Sequence, residues 1–143
     1  SLPMIVPDAN LLLYTYDASS PFHERAKAWC EEVMSGPSPL ILLPTVLFGF
    51  VRLATHPRVF KDPLTVSEAA LHVRSWLALC PVQLHELLPE DVACALGLLE
   101  SAGTAGNLTT DAQSAALALR LDAEVHTSDL DFGRFPMCAF AIP

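Results

Sequence analysis

The sequence predicts a three-layer α/β/α sandwich around a central, mainly parallel sheet of four or five strands. Short apolar runs, of the kind that form buried strands, alternate with longer segments whose apolar residues recur at helical spacing. Two of the short runs, near opposite ends of the chain, are followed directly by carboxylates. Parallel strands end at one edge of such a sheet, where open α/β folds carry their sites.

The first half of the chain contains the most clearly bounded of these elements. Ser20-Pro21 has the residue types of a helix start, and Gly36-Pro37 is typical of a helix end. Asp8 or Asn10 is expected to begin a short helix behind the first strand. The predicted elements are a strand at 4–7, a helix at 9–16, a helix from 20 to 35, a strand at 40–43 and a helix at 45–54.

The second half repeats the alternation. Thr65-x-x-Glu68 is a capping box that starts an amphipathic helix, and Gly103 is expected to end the helix that Pro89 opens. Thr109 or Thr110 is expected to cap a further helix, 111–121, whose alanines allow close approach to a sheet. Strands are predicted at 82–84, 125–127 and 138–142.

Composition limits the class of protein. A chain of 143 residues fits a single domain spanning 1–143. Its apolar fraction of 52% is enough to form a core and to leave an apolar surface for an interface. We expect a homodimer as one assembly that buries this surface. No apolar run could span a bilayer and no signal-peptide pattern is present, so we expect a cytoplasmic protein without membrane attachment.

The net charge of −8 argues against a broad, non-specific grip on nucleic acid, which needs a positive surface. It does not exclude an enzyme that meets RNA locally through a metal ion. The four cysteines have no metal-ligand spacing and each lies among apolar residues, so small buried thiols are expected rather than disulfides or zinc ligands. They are Cys30, Cys80, Cys94 and Cys138.

Carboxylates follow two predicted strands. Asp8 comes directly after Met4-Ile5-Val6-Pro7, and Thr127-Ser128-Asp129-Leu130-Asp131 follows Glu124-Val125-His126. If both runs belong to one parallel sheet, these acids meet at its carboxyl edge. Clustered carboxylates repel one another and lose hydration, so a fold that gathers them usually supplies a cation. Oxygen ligands favour a hard metal such as Mg²⁺ or Mn²⁺.

Each of these residues also has a structural interpretation. Asp8 and Asp111 could simply cap or complement the helices that they precede, and the acids after Thr127 could form an ordinary polar turn. A cluster of basic residues in the middle of the chain is either a solvated face or the rim of a site that contacts phosphate. It comprises Arg52, His56, Arg58 and Lys61.

Three motifs resemble those of a known family in order and spacing. Met4-Ile5-Val6-Pro7-Asp8-Ala9-Asn10-Leu11-Leu12, Asp111-Ala112-Gln113-Ser114-Ala115-Ala116-Leu117-Ala118 and Thr127-Ser128-Asp129-Leu130-Asp131-Phe132 resemble the first, third and last motifs of PIN-domain ribonucleases. The segments Pro21-Phe22-His23 and Gly49-Phe50-Val51-Arg52 are most similar to VapC toxins of bacterial toxin–antitoxin pairs, particularly a mycobacterial-type subgroup.

The resemblance implies a PIN-like fold and a Mg²⁺- or Mn²⁺-dependent endoribonuclease that a VapB-type antitoxin neutralises. Its RNA substrate would be transfer RNA or ribosomal RNA. Asp8, Asp111 and Asp129 match the family's metal-binding acids, and Asp131 matches a further acid of the catalytic group. Three polar residues would orient these ligands or bound water, namely Asn10, Thr127 and Ser128.

One position departs from the family pattern. Most PIN domains carry a glutamate on the helix after the second strand, where this chain has Gly49, and no acid occurs between Glu32 and Asp62. The metal site is therefore one carboxylate short, unless Asp131 compensates. This leaves open a non-catalytic PIN-like binding scaffold. A receiver-like or phosphatase domain ranks last, because neither Lys27 nor Lys61 is suitably placed.

An antitoxin helix would need an apolar groove on the toxin surface. We expect that groove between the helices at 22–33 and 45–54, which carry four large aromatic residues. These residues are Phe22, Trp29, Phe48 and Phe50.

Overall fold

The computed structural model describes residues 2–129, 133–135, 140–141 and 143, and within them five strands and six α-helices are formed. In chain order they are β1 (Ile5–Pro7), α1 (Ala9–Tyr14), α2 (His23–Ser35), β2 (Leu40–Leu42), α3 (Pro44–Ala54), α4 (Val66–Leu77), β3 (Val82–Leu84), α5 (Pro89–Ala102), α6 (Thr109–Leu121), β4 (Glu124–His126) and β5 (Phe140–Ala141). A 3₁₀ turn, Gly106–Leu108, precedes α6. No helix in these ranges is long and apolar enough to cross a membrane.

The five strands form one sheet in the order β3-β2-β1-β4-β5, and every neighbouring pair is parallel. The chain first moves outward from β1 to β3, then returns across the sheet to β4. Because crossovers of this kind are right-handed, the reversal places α1–α4 on one face and α5 and α6 on the other. The predicted three-layer sandwich is confirmed, and its topological switch point lies between β1 and β4.

The core lies on both faces of the central strands, and β1 and β2 are buried along their whole length. On one face, α6 packs on β1 and β4 through small buried residues such as Ala112, Ala115 and Ala116. On the other, the rings of Phe50 and Trp76 meet edge to face with centroids 4.8 Å apart. Small residues against the sheet let α6 come close, and this closeness positions its first turn.

Several local signals are confirmed. Thr65 and Glu68 form the reciprocal capping box at the start of α4, and each accepts the other's backbone N–H at 3.1 Å. Gly103 ends α5 in the left-handed conformation with φ 75°, which a residue without Cβ adopts most easily.

Two predicted helix starts are wrong. The hydroxyl of Ser20 accepts the N–H of Phe22 at 3.1 Å in a turn, and α2 begins only at His23. Thr109 is the first residue of α6 and donates its hydroxyl to the Gly106 carbonyl at 2.8 Å, so neither threonine caps this helix. In both cases a local side-chain bond competes with capping.

Strand β4 spans Glu124–His126, one residue earlier than predicted, so Thr127 follows the strand instead of ending it. Among the cysteines, Cys30 and Cys94 are free, and they are half-buried where full burial was expected. Cys80 is free but exposed, because it lies in the turn between α4 and β3, and the prediction that it is buried is wrong. Cys138 lies outside the described residues.

Candidate functional site

Asp8 lies at the carboxyl end of β1 and is the N-cap of α1. Its carboxylate Oδ1 accepts the N–H of Leu11 at 2.7 Å, and its own N–H donates to the carbonyl of His126 at 3.0 Å. The side chain is only 4% exposed. The capping interpretation of Asp8 is therefore correct, but capping uses one of its two carboxylate oxygens.

The second oxygen of Asp8 is bonded to the loop after β4. The buried hydroxyl of Thr127 donates to Asp8 Oδ2 and accepts the backbone N–H of Asp129 at 2.9 Å. One hydroxyl therefore connects the ends of the two strands that flank the switch point. This arrangement holds Asp8 and Asp129 near each other although 121 positions separate them in sequence.

The electrostatic surroundings of Asp8 are unfavourable for a charge. The pKa of Asp8 is raised to about 6: burial is the largest cause, the charge of Asp129 adds to it, and the bonds from Thr127 and Leu11 act in the opposite direction. The pKa of Tyr14 is also raised, by burial and then by Asp8 and Asp129. No cationic side chain in the described ranges forms an ion pair with Asp8.

Asp111 reaches the same place from a third element. It lies in the first turn of α6, which packs on β1 and β4. Asp8, Asp111 and Asp129 all line one cavity of about 370 Å³. The structure thus brings together the three acids that the sequence predicted to share a site. Asp131 lies outside the described residues.

Of the three polar residues expected to support these acids, only Asn10 lines the cavity. Asn10 is exposed and lines the same cavity. Thr127 lies beneath it as the bridge already described. Ser128 is half-buried beside Asp129 and does not line the cavity.

Fit to a metal ion depends on the number of donors. In the described part of the chain, no three His, Cys, Asp or Glu side chains form a group that could hold a metal by themselves. The cavity nevertheless offers three carboxylates and the Asn10 amide, all hard oxygen donors. Mg²⁺ keeps several waters and often takes only one or two protein carboxylates. These residues therefore fit a largely hydrated Mg²⁺ or Mn²⁺ ion and not a fully protein-coordinated one.

Helix α3 contributes three further residues to this cavity, Gly49, Arg52 and Leu53. A Cβ added to Gly49 would lie 3.5 Å from the Cβ of Ala9, which is ordinary van der Waals contact. The absence of the expected glutamate is therefore not forced by lack of space at Cβ. Arg52 lies three residues later on the same helix face.

The sequence grouped Arg52 with three other basic residues and did not single it out. The structure places Arg52 on the acidic cavity, whereas His56, Arg58 and Lys61 do not line it. The helical spacing of three from Gly49 was the sequence feature that could have separated Arg52 from the others.

The predicted apolar groove is wrong in part. Trp29 and Phe50 are buried at 5% and 0% exposure, because they belong to the core. Phe48, at 73% exposure, borders an apolar cavity of about 220 Å³ whose other wall is formed by α4 and Leu84 of β3. The groove therefore lies beside α3 as expected, but α2 does not form its other side.

Comparison with known proteins now identifies the family. Residues 5–136 match the family model of the PIN domain. The chain belongs to the PIN-domain family. A relative named Ribonuclease VapC33, from Mycobacterium tuberculosis, is 46% identical over 132 residues, which are 92% of each chain. Ribonuclease VapC37 of the same organism is 35% identical over the same shares.

Solved structures agree on the PIN fold. VapBC2 from Rickettsia felis, bound to a promoter DNA fragment, superposes with a TM-score of 0.69 at 13% identity, covering 96% of this chain and 97% of that one. Mycobacterium tuberculosis VapC20, described as a sarcin-ricin loop cleaving toxin, gives 0.67 at 18% identity over 90% and 92%. At such identities the likeness concerns the fold.

Proposed function

We propose that this PIN-domain protein is a divalent-metal-dependent endoribonuclease toxin of the VapC type. The observation that carries the proposal is the convergence of Asp8, Asp111 and Asp129 on one cavity at the switch point of the sheet. The 46% identity to a protein named as a ribonuclease, over nearly all of both chains, supports the same reaction class.

Asp8, Asp111 and Asp129 would hold Mg²⁺ or Mn²⁺, directly or through water, with Asp131 as a further acid of the catalytic group. When bound, the ion would polarise a phosphodiester oxygen and lower the pKa of a water molecule. The chain's own residues fix the donors. The hydroxyl of Thr127 donates to Asp8 Oδ2, and the N–H of Leu11 donates to Asp8 Oδ1. Together these two hydrogen bonds fix the orientation of the Asp8 carboxylate. Asn10 and Ser128 are proposed to orient water or ligands nearby.

The substrate is proposed to be RNA, either transfer RNA or ribosomal RNA. A water nucleophile attacking in line would leave a 5′-phosphate and a 3′-hydroxyl. The test is incubation of purified protein with cellular RNA in EDTA, Mg²⁺ and Mn²⁺, followed by mapping of the ends. We expect discrete cuts with these ends in either metal and none in EDTA. Cutting that is equal in EDTA would contradict it.

Gly49 favours a second candidate, a PIN-like scaffold with weak or no catalysis. At this position the chain lacks the carboxylate that most of the family carries. A scaffold would keep its fold and its partner but bind Mn²⁺ poorly and cut no RNA. Calorimetric titration with Mn²⁺ beside the cleavage assay separates the two candidates.

The partner is proposed to be a VapB-type antitoxin, since solved structures with this fold include VapBC2 and FitAB. The apolar groove between α3 and α4, with the exposed Phe48 at its border, is the proposed seat for an amphipathic antitoxin helix. Co-expression with the small reading frame adjacent to the gene should give a stable complex and relieve toxicity.

Phe48→Ser should weaken that complex while leaving cleavage intact, because Phe48 does not line the acidic cavity. A homodimer, proposed from the apolar fraction, is the other use of such a surface. If Phe48→Ser abolishes self-association and leaves antitoxin binding unchanged, the groove belongs to the dimer.

A further inference from the structure

We propose that Arg52 is a substrate-binding residue of this site, holding the RNA phosphate at the bond that is cut. The inference rests on the proposed ribonuclease function and deepens it. Arg52 is the cationic side chain among the residues lining the acidic cavity in the described part of the chain.

The charge balance of the cavity favours such a residue. Three carboxylates line it, and the whole chain carries a net charge of −8. A phosphodiester approaching this edge is repelled by the acids, and a hydrated ion neutralises only part of their charge. A guanidinium offers a fixed charge and a planar pair of donors that matches phosphate oxygens. Arg52 supplies both at the rim of the cavity.

The surroundings of Arg52 leave its guanidinium available. It lies in the last turn of α3 with an exposed side chain, and within the described ranges it forms no ion pair. Arg120 provides the contrast, since it also lies in the last turn of its helix but is bonded to Asp91 at 2.8 Å.

Gly49 keeps Arg52 available. A glutamate at position 49 would lie three residues before Arg52 on the same helix face, at the spacing at which opposite charges pair. The family's usual carboxylate would therefore compete with phosphate for this guanidinium. In this chain the missing acid leaves Arg52, which forms no ion pair within the described ranges, open to a phosphate.

The experiment measures binding of a labelled single-stranded RNA in Ca²⁺, which takes oxygen ligands as Mg²⁺ does. Wild type, Arg52→Ala, Arg52→Lys and Arg58→Ala are compared over a range of salt concentrations. Arg52→Ala should weaken binding about tenfold and reduce the salt slope by about 0.7, the value for one phosphate contact on a single strand. Arg52→Lys should keep the slope but lose part of the affinity, because it lacks the planar fork.

Arg58→Ala is the matched control, since it removes the same charge from the same region but not from the cavity. Its affinity and slope should stay near wild type. Equal losses in both alanine variants would mean general electrostatics and would overturn the proposal, as would unchanged binding by Arg52→Ala. The Mn²⁺-induced rise in melting temperature should be kept in Arg52→Ala, showing that the fold and metal site are intact.

A second pair of variants tests the link with Gly49. Gly49→Glu should tighten Mn²⁺ binding, and in RNA binding measured in EDTA it should lower the affinity because its carboxylate then pairs with Arg52, whereas Gly49→Gln should do neither. If Gly49→Glu binds RNA as tightly as wild type, the guanidinium is not the phosphate ligand. Absence of metal-dependent cleavage by the wild type would instead contradict the proposed function itself.

Discussion

Asp8 and Asp91 are two aspartates of this chain with nearly the same burial and very different surroundings. They are 4% and 2% exposed, and each accepts a backbone N–H at the start of a helix. Asp91 also accepts Arg120 Nε at 2.8 and 3.0 Å with its two oxygens. Asp8 instead has the neutral hydroxyl of Thr127 and the like charge of Asp129 nearby.

The pKa values record this difference. For Asp91, burial raises the pKa, but the bond and charge of Arg120 and the Leu88 N–H outweigh it, and the net pKa is lowered. For Asp8, burial prevails and the pKa rises to about 6. A buried carboxylate with an internal cation contributes to the fold. Asp8 has no such cation among the described residues, and we expect a carboxylate of this kind to bind one from outside.

The largest expected effect is on activity. Asp8→Asn should reduce RNA cleavage at least ~100-fold, the scale seen when a group that stabilises transition-state charge is removed. Its folded state should be kept, because asparagine also caps helices well and carries no buried charge. Asp111→Asn and Asp129→Asn should behave alike in the same assay. Asp91→Asn is the control, and its folded fraction should cut RNA like the wild type.

Near-wild-type cleavage by all three of the folded site variants would remove the basis for treating Asp8 and Asp91 differently. Circular dichroism on each variant separates loss of chemistry from loss of fold. The cysteines are expected to contribute nothing, so a reducing agent should leave wild-type cleavage unchanged.

A somewhat smaller effect is expected from the metal. Binding to the folded state alone should stabilise the wild type by about 2.7 kcal/mol at a metal concentration one hundred times the dissociation constant. The melting temperature should therefore rise in millimolar Mg²⁺ or Mn²⁺. Asp91→Asn should retain that rise and Asp8→Asn should lose it, as differential scanning fluorimetry would show. A rise of equal size in both variants would place the metal elsewhere.

Asp91→Asn should lower the thermal stability of the protein. Loss of the charged pair with Arg120 should lower the melting temperature at neutral pH by roughly 3–8 °C. Because the folded pKa of Asp91 is lowered, its contribution is present above the unfolded value of about 3.9 and is lost as pH falls through the folded value. Thermal melts of both proteins should therefore converge at acid pH. A constant difference at every pH would argue against the ion pair as its source.

The sequence predicted most of this architecture because its local rules agree with the fold. Asp8 could be placed at the site because β1 is a continuous apolar run with an acid directly behind it. The helix end at Gly103 and the capping box of Thr65 and Glu68 could be predicted because they too are local signals. These features depend on residues within a few positions of one another.

What the sequence could not predict depends on contacts between distant elements. Asp91 looked like an ordinary acid in a first helical turn, and only the packing of α5 on α6 brings it to Arg120, 29 positions later. Thr127 was expected at the site, but its bridge from Asp8 to the N–H of Asp129 requires the parallel register of β1 and β4. Arg52 was one of four basic residues until α3 was placed beside the acids.

The smallest expected effect concerns Ser114, a buried polar residue that, unlike Asp8 and Asp91, carries no charge. The Ser114 hydroxyl on α6 is buried and has no hydrogen-bond partner within the described ranges. Ser114→Ala should leave stability unchanged or raise it by up to about 1 kcal/mol, since it removes an unsatisfied group and improves helix propensity. Urea denaturation measures the difference. Destabilisation by more than that amount would show that the hydroxyl is in fact bonded.

The most direct test of the central claim is a crystal structure of the wild type soaked in Mn²⁺, with anomalous diffraction to locate the ion. We expect one anomalous peak in the acidic cavity, with a carboxylate oxygen of Asp8 or Asp129 at about 2 Å and waters completing the shell. No peak should appear at Asp91, whose charge Arg120 already neutralises. A peak at Asp91, or an acidic cavity without manganese at saturating concentration, would show that these acids do not form the metal site.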